Sequence, residues 1–135
     1  MCTLLILVYH LPICLESLLW TAPEHLRQRK PELHGSQKGD VYSFAIVLQE
    51  IITRSGPFET VKVMKSDGNY SIVSLDPQFI IQQLKLGGTT PYRPNVEQND
   101  CLLELNELLT QCWEEAPANR PTFQVIKNTI GKIAK

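Results

Sequence analysis

The 135-residue chain lacks an excess of charge of either sign: thirteen Lys and Arg stand against fourteen Asp and Glu, a formal net charge of −1. A nucleic-acid binder needs a surplus of basic side chains for its phosphate contacts, so that class is disfavoured. The chain also lacks any apolar run of about eighteen residues, so nothing in it is expected to span a bilayer as a helix. Metal-ligand spacing is missing too. Cys2, Cys14, Cys101 and Cys112 form no C-x-x-C pair, and His10, His25 and His34 show no H-E-x-x-H pattern, which speaks against a metal site and for buried thiols. What is present is 43% apolar residues. That is enough for one ordinary globular domain and excludes a disordered or collagen-like chain.

The amino terminus leaves three readings open. Leu4-Leu5-Ile6-Leu7-Val8 is apolar but short for a secretory signal, and no basic residue precedes it. A buried strand-like segment and an artefact of a truncated coding sequence are the other two. Residues 1–16 are therefore set apart from a unit covering 17–135. The triplet Asn69-Tyr70-Ser71 fits the glycosylation pattern, which occurs often by chance, and is read as unused.

Helical periodicity dominates the rest. From Asp40 to about Arg54, Val41, Phe44, Ala45, Leu48, Ile51 and Ile52 recur at steps of three and four, one face of an amphipathic helix with Asp40 as its N-cap. Ser55-Gly56-Pro57 should end it, and residues 56–75 read as a long loop. A second helix is expected from Asp76-Pro77 through Phe79, Ile80 and Leu84 to Gly87-Gly88. Thr90-Pro91-Tyr92-Arg93-Pro94 reads as an extended connection. A third helix covers about 98–113 with Leu102, Leu105, Leu109 and Cys112 on one stripe. A fourth, from near Pro121, should bury Phe123, Ile126, Ile130 and Ile133. The fold class is mainly α.

The order of three blocks resembles a known family. Leu19-Trp20-Thr21-Ala22-Pro23-Glu24 is similar to the Ala-Pro-Glu motif that closes the activation segment of protein kinases. Gly39-Asp40-Val41-Tyr42-Ser43-Phe44 is similar to the start of the central helix of the kinase C-terminal lobe. Cys112-Trp113, Pro117, Arg120-Pro121 and Phe123 resemble the last block of tyrosine-kinase-like folds. Within that group, Gly39-Asp40-Val41-Tyr42-Ser43-Phe44 followed by Leu48-Gln49-Glu50-Ile51, and Pro91-Tyr92-Arg93-Pro94, resemble the kinase-homology domain of receptor guanylyl cyclases. Tyrosine kinases favour Trp where this chain has Gln49, and Gly where it has Ala45.

The resemblance implies the helical C-terminal lobe of a kinase-like fold, incomplete, with no N-terminal lobe and no catalytic loop. It implies a buried ion pair between Glu24 and Arg120. Asp40, which in the family meets the catalytic loop, is expected here only as a helix cap, and Trp113 as a core aromatic. These four are structural expectations; no catalytic, cofactor or metal residue is assigned. Phosphoryl transfer needs a Gly-rich phosphate cover, a strand Lys, a catalytic Asp and a metal-binding Asp, and none of those motifs occurs. Ser17, Ser36 and Ser43 have no histidine and carboxylate at suggestive spacing, so a hydrolase triad is not expected.

The functional expectation is a signalling module without catalysis: part of the regulatory domain of a receptor that makes cyclic GMP from GTP, on the cytoplasmic side of the plasma membrane. Its partners would be the remainder of the kinase-homology domain, the cyclase domain and, in a homodimer, a second copy. The alternative is the matching piece of an active tyrosine-kinase-like protein. Without the rest of the lobe, Phe44, Leu48 and Ile52 should be partly exposed, giving a marginal, aggregation-prone or dimeric protein.

Overall fold

A computed structural model describes residues 15–29, 35–58, 60–64, 66–74, 76–97 and 102–135. The apolar segment Leu4–Val8, Cys2, Cys14, Cys101, His10 and His34 lie outside them. A 3-10 turn (Leu15–Trp20) leads into α1 (Pro23–Leu26), α2 (Gln37–Thr53), a hairpin of β1 (Thr60–Met64) and β2 (Tyr70–Ser74), then α3 (Pro77–Leu86) and α4 (Leu103–Cys112). A second 3-10 turn (Pro117–Asn119) precedes α5 (Phe123–Ile133). Helix α2 is the axis: α4, both 3-10 turns and, through α4, helix α5 pack around it, while α3 closes over α1 and the first turn.

Helix α2 begins earlier than its apolar pattern does. Ser36 is the N-cap, and its hydroxyl accepts from the Gly39 N–H at 2.9 Å. Asp40 is therefore not the cap but an exposed first-turn residue, where its negative charge complements the helix dipole. The start was hidden by Gly39, a poor helix former. A Cβ at position 39 would sit 2.6 Å from His25 Nε2, so the close approach of α1 requires glycine there. The far end is set by Arg54, in left-handed conformation at φ 51°.

The buried face of α2 is also rotated from the apolar stripe. Tyr42, Ala45, Ile46 and Gln49 are all fully buried, Phe44, Leu48 and Ile52 are half-buried, and Ile51 is 67% exposed. Two residues with polar ends, Tyr42 and Gln49, lie on the core face, so a count of apolar side chains pointed to the neighbouring stripe. Elsewhere Leu102 and, on α5, Phe123 and Ile130 are exposed rather than buried. Only Ile126 of α5 is fully enclosed, because α5 touches the body along one narrow line. Phe123 still meets Phe44 edge-on, with ring centroids 6.1 Å apart.

Residues 56–75 are not a plain loop. β1 and β2 pair antiparallel, Thr60 opposite Ser74 through Met64 opposite Tyr70, around a turn whose Gly68 takes φ 80°. Its signal was present in the Asp67-Gly68 pair between β-branched runs. Helix α3 follows the expected boundaries. Asp76 caps it through Gln78 N–H at 3.1 Å, Pro77 opens it, and Gly87 at φ 60° ends it.

Candidate functional site

Of the residues singled out from sequence, Glu24, Arg120 and Trp113 come together at the turn between α4 and α5, and Asp40 does not. Arg120 follows the second 3-10 turn, and its side chain has no exposed surface. Its Nη1 donates to Glu24 Oε1 at 2.7 Å and to the Lys38 carbonyl at 2.9 Å. Nη2 donates to Glu24 Oε2 at 2.8 Å and to the Glu115 carbonyl at 3.4 Å, and Nε to the Glu114 carbonyl at 2.8 Å. A guanidinium carries five N–H donors, and each has an acceptor. Full satisfaction is what lets a permanent charge be buried. Glu24, on α1, is held ionised: burial raises its pKa, but the hydrogen bonds and charge of Arg120 outweigh that and lower it overall.

A second ion cluster adjoins the first through Glu115. Its carboxylate receives Arg27 from the end of α1 and, at 2.8 Å, Arg93 Nη2 from the extended connection. Burial raises the Glu115 pKa, and these two arginines bring it below its ordinary value. Arg27 also donates to the Leu84 and Lys85 carbonyls at 2.8 and 3.0 Å, closing the C-terminal end of α3. Arg93 also donates to the carbonyls of Trp113 and Tyr92. Four otherwise separate segments are thus tied to one turn. Sequence reasoning passed over Arg27 and Glu115; the Tyr92-Arg93-Pro94 motif was the available signal for Arg93.

Tyr42 lies between these clusters, with the guanidinium carbons of Arg93 and Arg120 5.2 and 5.3 Å from its ring centroid. Among the described residues its buried hydroxyl has no hydrogen-bond partner, and burial pushes its pKa up to about 12. Trp113 is 8% exposed and packs in the core. Asp40 stands apart from the clusters, on the surface of α2. Ser36 and His25, not paired by any sequence spacing, come within 3.1 Å. The Ser36 oxygen, however, is committed to capping α2.

Gln49, the residue that separated the two readings of the sequence, is fully buried. Its Oε1 accepts from the Phe58 N–H at 3.1 Å, and its Nε2 donates to Thr53 Oγ1 at 2.9 Å and to the Gly56 carbonyl at 3.3 Å. That fixes the turn in which Phe58 takes φ 56° and stacks on Tyr92 at 5.9 Å.

The arrangement can hold segments together. Its carboxylates are ionised and engaged by arginines, and among the described residues no cluster of His, Cys, Asp and Glu could hold a metal ion. Residues 13–130 match the protein tyrosine and serine/threonine kinase family. The chain belongs to that family. This kinase-family chain is 42% identical over 117 residues to atrial natriuretic peptide receptor 2 of Anguilla japonica, covering 87% of the chain and 10% of that protein. It is 42% identical over 118 residues to guanylyl cyclase C of Rattus norvegicus, 85% of the chain and 10% of that protein. It is 38% identical over 122 residues to the receptor-type guanylate cyclase Gyc76C of Drosophila melanogaster, 85% of the chain and 7% of that protein. The resemblance to receptor guanylyl cyclases thus extends over most of the kinase-family segment, which spans a tenth or less of the length of these relatives. Among the described residues no helix is long and apolar enough to cross a membrane.

Proposed function

We infer that this chain is part of the kinase-homology domain of a receptor guanylyl cyclase and works as a signalling and interaction module, with no phosphoryl transfer and no cofactor of its own. The observation that carries this reading over an active tyrosine-kinase piece is Gln49. Its side-chain oxygen accepts the buried Phe58 N–H. A Trp at that position, the tyrosine-kinase preference, offers only a donor. The arginine clusters support the same reading, because Glu24 and Glu115 are both engaged by arginines in bracing segments. In the whole receptor this segment would sit on the cytoplasmic side of the membrane. Its partners there would be the rest of the kinase-homology domain, the cyclase domain and the second copy of a homodimer, and the cyclase domain would convert GTP to cyclic GMP.

The test is a segment exchange. Residues of this chain replace the matching 118 residues of guanylyl cyclase C, and the chimera is assayed for ligand-stimulated cyclic GMP. The purified chain is assayed alongside for peptide phosphorylation with ATP and magnesium. Retained cyclic GMP output with no phosphorylation supports the reading. A folded chimera without stimulation, or phosphate transfer by the chain alone, overturns it.

A further inference from the structure

Positive charge gathers on the last helix. Of thirteen basic and fourteen acidic residues, four of the former and none of the latter follow Glu115. Arg120 is enclosed with Glu24. The other three, Lys127, Lys132 and Lys135, are exposed on or just beyond α5, and among the described residues none has a carboxylate partner. Helix α5 is also the most strongly amphipathic of the four longer helices, yet only its Ile126 is enclosed. Phe123, Lys127, Ile130 and Ala134 follow at steps of four and three, so they share one side of the helix, and all four are exposed. Phe123 joins this side to Phe44 of α2. Lys38 and Asp40 both border its Phe123 end, where their charges offset one another.

Apolar residues mixed with lysines on one open helix side are the composition of a helix that lies in a membrane interface. At about 16 Å long, α5 can lie along a bilayer and not cross it. The spread of the lysines selects the surface. By helical spacing Lys127, Lys135 and Lys132 lie about 40°, 120° and 180° round from Phe123. An acidic protein segment running along one side would pair with only part of that set. An anionic headgroup layer attracts all three, because its potential reaches about one Debye length, roughly 8 Å. We propose that α5 rests on an anionic lipid surface, with Phe123 and Ile130 at the acyl boundary and the lysines among the headgroups. Its place beneath a bilayer rests on the receptor reading above, whereas vesicle binding does not, so either can fail alone.

Flotation of the full chain with vesicles tests this, since lipid-free aggregate stays at the bottom of the gradient. The chain should rise with phosphatidylcholine vesicles carrying about 30% phosphatidylserine, stay down with phosphatidylcholine alone, and be released at about 0.5 M salt. Lys127→Gln should weaken binding about fivefold, and Phe123→Gln by at least as much. Val125 is as exposed as Phe123, at 48% against 46%, but lies about 160° round the helix, so Val125→Gln should leave binding unchanged. The proposal is overturned if the anionic vesicles leave the chain at the bottom, if phosphatidylcholine alone lifts it as well, or if Val125→Gln matters as much as Phe123→Gln. Binding to polyglutamate without binding to vesicles would assign α5 to an acidic protein segment. A Phe123→Gln effect on lipid-free sedimentation alone would assign it to a second copy, and either result overturns the lipid assignment.

Discussion

Replacing Glu24 with Gln removes one charge and almost no volume, and the structure sets the cost. Arg120 stays fully enclosed, so its charge loses its counter-ion with no water to replace it. One Glu24→Gln hydrogen bond survives through the amide oxygen, and the Lys38, Glu114 and Glu115 carbonyls still accept. The full penalty for breaking a buried pair is about 3–5 kcal/mol, so with these residual acceptors about 2–4 kcal/mol is expected. With a urea m-value of about 2 kcal/mol/M, the unfolding midpoint falls by about 1–2 M. Trp20 and Trp113 supply the fluorescence signal. Arg120→Met and the double variant complete a cycle, whose coupling should exceed about 1.5 kcal/mol because the two residues share one contact. A Glu24→Gln loss and a coupling both below about 0.5 kcal/mol would refute the reasoning, since that is what a solvent-exposed pair contributes.

Other outcomes follow from the same geometry. Tyr42→Phe deletes a buried hydroxyl that has no partner among the described residues and should leave stability unchanged or raise it by up to about 1 kcal/mol in urea unfolding. Gln49→Leu strands the Phe58 N–H and should cost about 1–3 kcal/mol, read as a lower thermal midpoint. The carboxylates of Glu24 and Glu115 are held below their ordinary pKa, so their contribution is complete above the unfolded value of about 4.3 and disappears as pH falls through the folded values; acid titration by circular dichroism should show that loss below pH of about 4.3 and none between about 5 and 8. Exposed Val47 and Ile51 beside Phe44 should drive self-association, and Ile51→Asn should shift sedimentation toward the monomer.

The pairing of Glu24 with Arg120 was legible because motif blocks set far apart in the chain carry it, and α3 because Asp76, Pro77 and Gly87 punctuate it. The start of α2 was not, since Gly39 reads as a helix breaker unless the His25 ring beside it is known. The face of α2 was misjudged for a related reason. Buried Tyr42 packs its ring against two cations, and buried Gln49 pairs with backbone groups, neither of which a hydropathy pattern registers. Glu115 was invisible in the same way, since its value comes from two arginines supplied by distant segments. The hairpin was a matter of weighing: Asp67-Gly68 gave the turn, but Gly, Pro and Asn around it favoured a loop.

The Glu24–Arg120 contact joins positions separated by 96 residues. During synthesis at about 5–20 residues per second, the carboxylate emerges several seconds before its mate exists. For that interval α1 has no anchor on this side, and late closure of so large a loop makes assembly slow. A nascent chain halted before Arg120 would hold α1 through its contacts with α3, without the ion pair.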